Sequence, residues 1–198
     1  MRPGEAVVIG DGMSVTTLSL VTGILAGSDV TESRRTIAGL TDYFLDEAAR
    51  AAMDQDRLAY RVLAFEPRRE GEEGAICCAT TFLQPGMVGD EYFLTRGHFH
   101  VNQDRPELEM AISGEGALIL MREDRHTWME PMRPGSVHHV PPRTAHRVAN
   151  TGDAPLVFVS YWPSETGHDY GVIIEQGFGA RLRKVHGVPT LVPDDRSR

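Results

Sequence analysis

An all-β barrel or sandwich is the fold class that this sequence predicts, on three observations. From Leu58 onward the chain is a succession of short apolar or β-branched runs: LAYRVLAFEP, AICCATTFL, LEMAISGEGALILM, SVHHVPP and PLVFVSYWP. The separators EPRREGEEG, QPGMVGDEY, SGEG, MRPGS and NTGDAP are rich in Gly, Pro, Asn and Asp. Short strands at near-regular spacing with turn chemistry between them read as antiparallel β-structure. No alternation of helix and strand is present, which disfavours a parallel α/β sheet.

Taken in order, residues 1–57 read as an N-terminal extension. It opens with a short apolar run, Ala6 to Ile9, too short for the core of a signal peptide. TDYFLDEAARAAM, Thr41 to Met53, predicts a helix packed over a sheet. Thr41 stands in the capping position, Tyr43, Phe44, Ala48 and Ala51 or Ala52 fall at helical spacing, the acids come early and Arg50 late. Residues 58–180 form the barrel, with GEEG as a hairpin tip. Residues 181–198 read as a polar tail ending in DDRSR, whose last residues are expected to be disordered.

Composition narrows the function. The 198 residues, 41% hydrophobic and 24% charged, suit one domain with a sizeable core. No stretch approaches the roughly 20 apolar residues of a membrane helix, so no membrane partner is expected and a cytoplasmic location is the default. The net charge of −8 disfavours nucleic acid, although a small anion can still be held locally. Cys77 and Cys78 are the chain's two cysteines. Adjacent strand residues point to opposite faces, so a mutual disulfide is not expected and a reducing compartment fits.

Six of the eight histidines lie between His98 and His146. His98 and His100, two apart on a strand, share a face. Glu107 follows after the turn-like VNQDRP, and His146 after Pro141-Pro142. Three imidazoles and a carboxylate suit one first-row divalent ion (Fe2+, Mn2+, Ni2+, Co2+ or Zn2+) with positions left for substrate. A structural zinc site would normally be closed and rich in cysteine. His138 or His139 points into the barrel, as a wall residue before a fifth ligand; His126 and His186 read as surface.

GHFH followed by Glu107 and Gly114, then Gly135, Pro141, His146 and Asn150, resembles the two motifs of the cupin superfamily. TTFLQPGMVGDEYFLTRGHFHVNQDRPE, RPGSVHHVPPRTAHRVANTGD and YWPSETGHDYGVIIEQGF are similar, more narrowly, to the cupin-type (archaeal-type) glucose-6-phosphate isomerases, from about Thr80 to Phe178. RRTIAGLTDYF is a weaker echo. The resemblance implies a cupin (double-stranded β-helix) barrel and an aldose–ketose isomerase of glycolysis and gluconeogenesis acting on a phosphosugar. It implies one divalent metal, Fe2+ first, on His98, His100, Glu107 and His146, and a homodimer. Glu107 would be the base and His168, in GHDY, a second substrate-facing acid or base. Thr81, Thr95, Gly97, Trp162 and Tyr170 would contact substrate, with Tyr60 of uncertain register.

Four residues depart from the family pattern. Trp162 stands where tyrosine is usual, Glu109 likewise, Arg96 for lysine and Arg143 for an aromatic; the cupin motif itself has glycine at Arg143. An extra carboxylate at Glu109 would repel an anionic substrate. Enediol and hydride-shift routes are both open. Alternatives are the isomerase of a related sugar, an Fe(II) dioxygenase, which would consume oxygen, and a non-catalytic sugar-binding cupin, which would bind metal without turnover.

Overall fold

A computed structural model describes residues 15–194; the Ala6–Ile9 run and the last residues expected to be disordered lie outside them. Among strands of four or more residues, β1 is Val30–Thr36, β2 Leu58–Phe65, β3 Ile76–Leu83, β4 Glu107–Ser113, β5 Gly116–Arg122 and β6 Thr127–Met132. Then come β7 Val137–Val140, β8 Thr144–Asn150, β9 Leu156–Pro163, β10 Ala180–Val185 and β11 Val188–Pro193. All pairings are antiparallel, and this is the all-β class that the turn-punctuated runs predict. One sheet has the order β7-β4-β9-β3-β2-β1, and a facing sheet the order β6-β5-β8. Single bridges from Leu94 and His98 to β8 widen the second sheet. The GEEG separator lies in the 66–75 connection of the paired β2 and β3.

The two sheets bury a shared core of Leu83, Leu118, Leu120, Leu156 and Phe158. β8 is buried along its whole length and β5 nearly so, so their outer face must also be covered. Tyr43, Phe44, Ile173, Phe178 and Leu182 provide that cover and belong to the same cluster. β4 shows a clean two-residue alternation in which Glu107, Glu109 and Ala111 face inward. Carboxyl groups in positions that a strand normally gives to apolar side chains mark this end of the barrel as a site.

Two sequence expectations are corrected. The helix covers Glu47–Ala52, not Thr41 to Met53, and Asp46 caps it by accepting the Ala49 N–H at 2.8 Å. Asp42, at φ +69°, cannot continue a helix from Thr41, and the turn it makes sends Tyr43 and Phe44 into the core. The supposed polar tail is the hairpin β10–β11, tied to Glu91 through Arg183. His186 and Gly187, at φ +50° and +83°, make its turn. Its polar look is misleading because Arg181 is a buried strut. Arg181 bonds Glu91 at 2.8 Å, Asp194 at 2.6 Å and the Tyr43 carbonyl at 3.2 Å.

Candidate metal centre

A cavity of about 170 Å³ is walled by β2, β3, β4, β8, β9 and the 95–98 segment. His98 and His146 face each other across an antiparallel bridge, each N–H donating to the other's carbonyl at 3.2 and 3.1 Å. This reciprocal pair sets the two imidazoles on one face, with ring centroids 4.4 Å apart. His100 returns to that face two residues later, and Glu107 enters on β4 after the 101–106 turn. One ligand atom from each of the four lies within 4.8 Å of the others.

The hydrogen bonding of His100 tests whether this group fits a metal. Its Nδ1 lies 2.6 Å from the Arg105 carbonyl oxygen. A carbonyl only accepts, so Nδ1 carries a proton, and in the neutral ring Nε2 is a lone pair. That lone pair faces Glu107 Oε2 at 3.2 Å, and His146 Nε2 approaches the same oxygen at 3.4 Å. Acceptors gathered in this way need a positive charge among them, either a proton on the imidazoles, which then donate to Glu107, or a cation in its place. The Nδ1–carbonyl bond is also the outer contact that orients metal-binding imidazoles. His98 Nε2, buried without a partner, is a further unsatisfied acceptor or donor. The four residues therefore fit a divalent ion.

The buried groups differ in charge. Burial, then His146 and His168, push the His98 imidazole well below its ordinary range. Burial acts to raise Glu107, but His146, His100 and His98 outweigh it and hold the carboxyl well below the usual range. Glu109 goes the other way: burial, then Glu107 and Glu130, hold it well above. It lines the cavity with Oε2 unpartnered. The side chain expected to repel an anion is thus held toward its neutral acid form.

His168 pairs in register with His100, and its ring centroid lies 4.5 Å from that of His98. Trp162 meets it edge-on at 5.9 Å, and Tyr170 stacks on it at 6.2 Å. His168 Nδ1 is bonded to Glu70 Oε1 at 2.6 Å. Sequence reasoning missed Glu70, which looks like any other acid in EPRREGEEG. Thr81, Thr95, Gly97, Trp162, Tyr170 and Tyr60 all line the cavity, as does Arg96, stacked on Tyr170 at 3.9 Å. Gly97 has φ +72°, and a Cβ there would come within 2.9 Å of the Arg147 side chain and 3.0 Å of the His146 carbonyl. The chain passes too close to β8 for any other residue.

The remaining candidates lie elsewhere. His138 is a wall residue, its two ring nitrogens bonded to Glu130 at 2.7 Å and Ser136 at 2.8 Å. His126, His139 and His186 are exposed. Arg143 keeps a glycine-like turn at φ +59°, its N–H donating to the Gln103 carbonyl at 2.7 Å. The two cysteines are free thiols.

The family model described as "Glucose-6-phosphate isomerase (GPI)" matches residues 34–191. A glucose-6-phosphate isomerase of Pyrococcus abyssi is 38% identical over 177 residues, 88% of this chain and 92% of its own length. One of Thermococcus onnurineus is 41% identical over 180 residues, covering 90% and 93%. One of Sinorhizobium medicae is 38% identical, covering 76% and 69%. Among solved structures, an oxalate decarboxylase of Bacillus subtilis overlaps 57% of this chain and 27% of its own, with a TM-score of 0.42 and 24% identity.

Proposed function

The chain belongs to the glucose-6-phosphate isomerase family and interconverts glucose 6-phosphate and fructose 6-phosphate, and we propose that it does so in the cavity around His98, His100, Glu107 and His146. These four side chains hold one divalent metal per chain, Fe2+ first among the candidates. The observation that carries this reading is the His100 imidazole, its Nδ1–H bound to a carbonyl and its Nε2 lone pair turned on a carboxylate. When bound, the ion supplies Lewis acidity toward the sugar's carbonyl and hydroxyl oxygens.

The chain's own residues do the rest. Glu107, kept ionised, is the group in position to take a proton from one of the two reacting carbons and return it to the other. His168, steadied by Glu70, faces the same cavity and assists ring opening. Thr81 and Thr95 hydroxyls with the Gly97 N–H hold the phosphate, and Trp162 and Tyr170 close the wall around the sugar. The two free thiols fit a cytoplasmic location. A homodimer is proposed from the resemblance, and an elution volume of twice the chain mass checks it.

The test strips the protein and reloads it separately with Fe2+, Mn2+, Ni2+, Co2+ or Zn2+ before assaying fructose 6-phosphate conversion. Turnover is expected to depend on metal and to fall by about 10²- to 10⁴-fold in Glu107→Gln. Metal-independent turnover, or full activity in Glu107→Gln, overturns the assignment. In the reverse direction, deuterium at C2 of glucose 6-phosphate should wash out to solvent. Complete retention would make the step a hydride shift and leave Glu107 a ligand only.

A further inference from the structure

Resting on the assignment of the 95–97 segment to the substrate's phosphate, we propose that Arg96 and Arg147 form a two-guanidinium anion well. Arg96 contacts the phosphate, and Arg147 positions the segment from behind. Arg147 follows the ligand-type His146 on β8, so its side chain leaves the opposite face of the strand. It is 6% exposed, lies over Phe178 at 4.2 Å, and its Nη2 donates to the Arg96 carbonyl at 2.9 Å. Its Nε has no partner, and Gly97 rests directly against it.

The region gathers more donors than acceptors: Arg96 is hydrogen-bonded to the Tyr170 hydroxyl, yet donors remain unmet among the described residues. Arg96 Nε, Arg147 Nε and the Tyr43 hydroxyl are all buried and unpartnered. Among the described residues, neither the Arg96 nor the Gly97 N–H finds a backbone acceptor. Glu91, the acid whose charge reaches Arg147, is already taken up by Arg181 at 2.8 Å and by the Leu45 N–H. Among the described residues, neither Arg96 at the cavity wall nor Arg147 behind it forms a salt bridge with a carboxylate, in a protein of net charge −8; Asp42, Glu47 and Glu175 share a separate cavity with Arg147 but make no ion pair with it. A buried cation without a partner is costly, and a phosphate dianion on the Thr95–Gly97 segment balances it. Arg96 reaches the cavity itself, stacked on Tyr170, whereas Arg147 acts through the Arg96 carbonyl and the Gly97 backbone.

The test compares Arg96→Gln, Arg147→Met, Arg147→Lys and Thr81→Val in the metal-loaded enzyme. Each is read by KM and kcat for fructose 6-phosphate, by inhibition with inorganic phosphate, and by Tm. Arg96→Gln is expected to raise KM and the phosphate inhibition constant together by about 10- to 100-fold, with kcat falling less than about threefold. Arg147→Met should raise both constants by about tenfold while Tm holds or increases, because an unpaired buried charge has gone. A purely structural arginine would instead lower Tm and leave phosphate inhibition alone. Should Arg147→Met not fold, Arg147→Lys, which keeps the charge, is expected to retain part of the phosphate affinity. If Thr81→Val loses phosphate affinity while both arginine positions behave like wild type, the arginine well is overturned and the phosphate assignment stands. If no variant changes either constant, the phosphate assignment itself fails.

Discussion

Glu107 and Glu109 show how strongly position decides what a side chain is. They share a strand, a face and near-complete burial, yet the imidazoles around Glu107 hold it ionised while burial and its neighbour hold Glu109 toward the neutral acid. Cys77 is a third buried acid, and it allows a direct check. Burial, then Glu66 and Glu165, push its thiol up from 9.0 to about 11. The folded protein holds this proton more tightly than the unfolded chain does. Its contribution to stability is therefore complete below pH 9.0 and is lost as pH rises through about 11. Iodoacetamide at pH 8 should leave Cys77 unmodified by peptide mapping and label it once the protein is unfolded. At this scale the sequence was most legible where residue type and spacing coincide: GHFH and Glu107 meet at the site. Glu70 and the unpaired state of Arg147 depend on contacts 98 and 51 residues away, and no local pattern carries them.

Among the elements, the C-terminal hairpin departs furthest from what its composition suggests. ARLRKV alternates buried and exposed positions imperfectly, and its charges resemble those of a solvated tail. The inward arginine, however, is neutralised on arrival by Glu91 and Asp194, so the strand can bury a charge. Arg181→Ala should cost about 3–5 kcal/mol, because two buried carboxylates lose their cation. Denaturant unfolding of the holoenzyme measures it, and a change below about 1 kcal/mol would reduce the hairpin to a loosely held flap. The helix was misjudged for a related reason. Thr41 to Met53 carries helical periodicity, but Tyr43 and Phe44 gain more by entering the core than the first turn gains by forming. The strands β2, β3, β4, β5, β7 and β9 were legible because apolar or β-branched runs and turn residues agree there, whereas β6 and β8 lie between those runs.

For the molecule as a whole, the proposed function ties stability to metal. Removing the ion should lower Tm, and adding it back should raise Tm steadily with the logarithm of free metal, since only the folded chain assembles all four ligands. Differential scanning fluorimetry of stripped and titrated protein measures this, and a Tm indifferent to metal would contradict a built site. The all-β class was legible; the closure of the barrel's outer face by both ends of the described chain was not, since that pairing joins residues more than a hundred positions apart. The reciprocal bridge between His98 and His146 has a consequence in time. His98, His100 and Glu107 are near neighbours along the chain and can come together early, whereas His146 arrives only when the loop between the two partners has shut. Docking of the fourth ligand and zipping of that seam are therefore one event, and the ion's colour or spin signal becomes a clock for the last stage of folding.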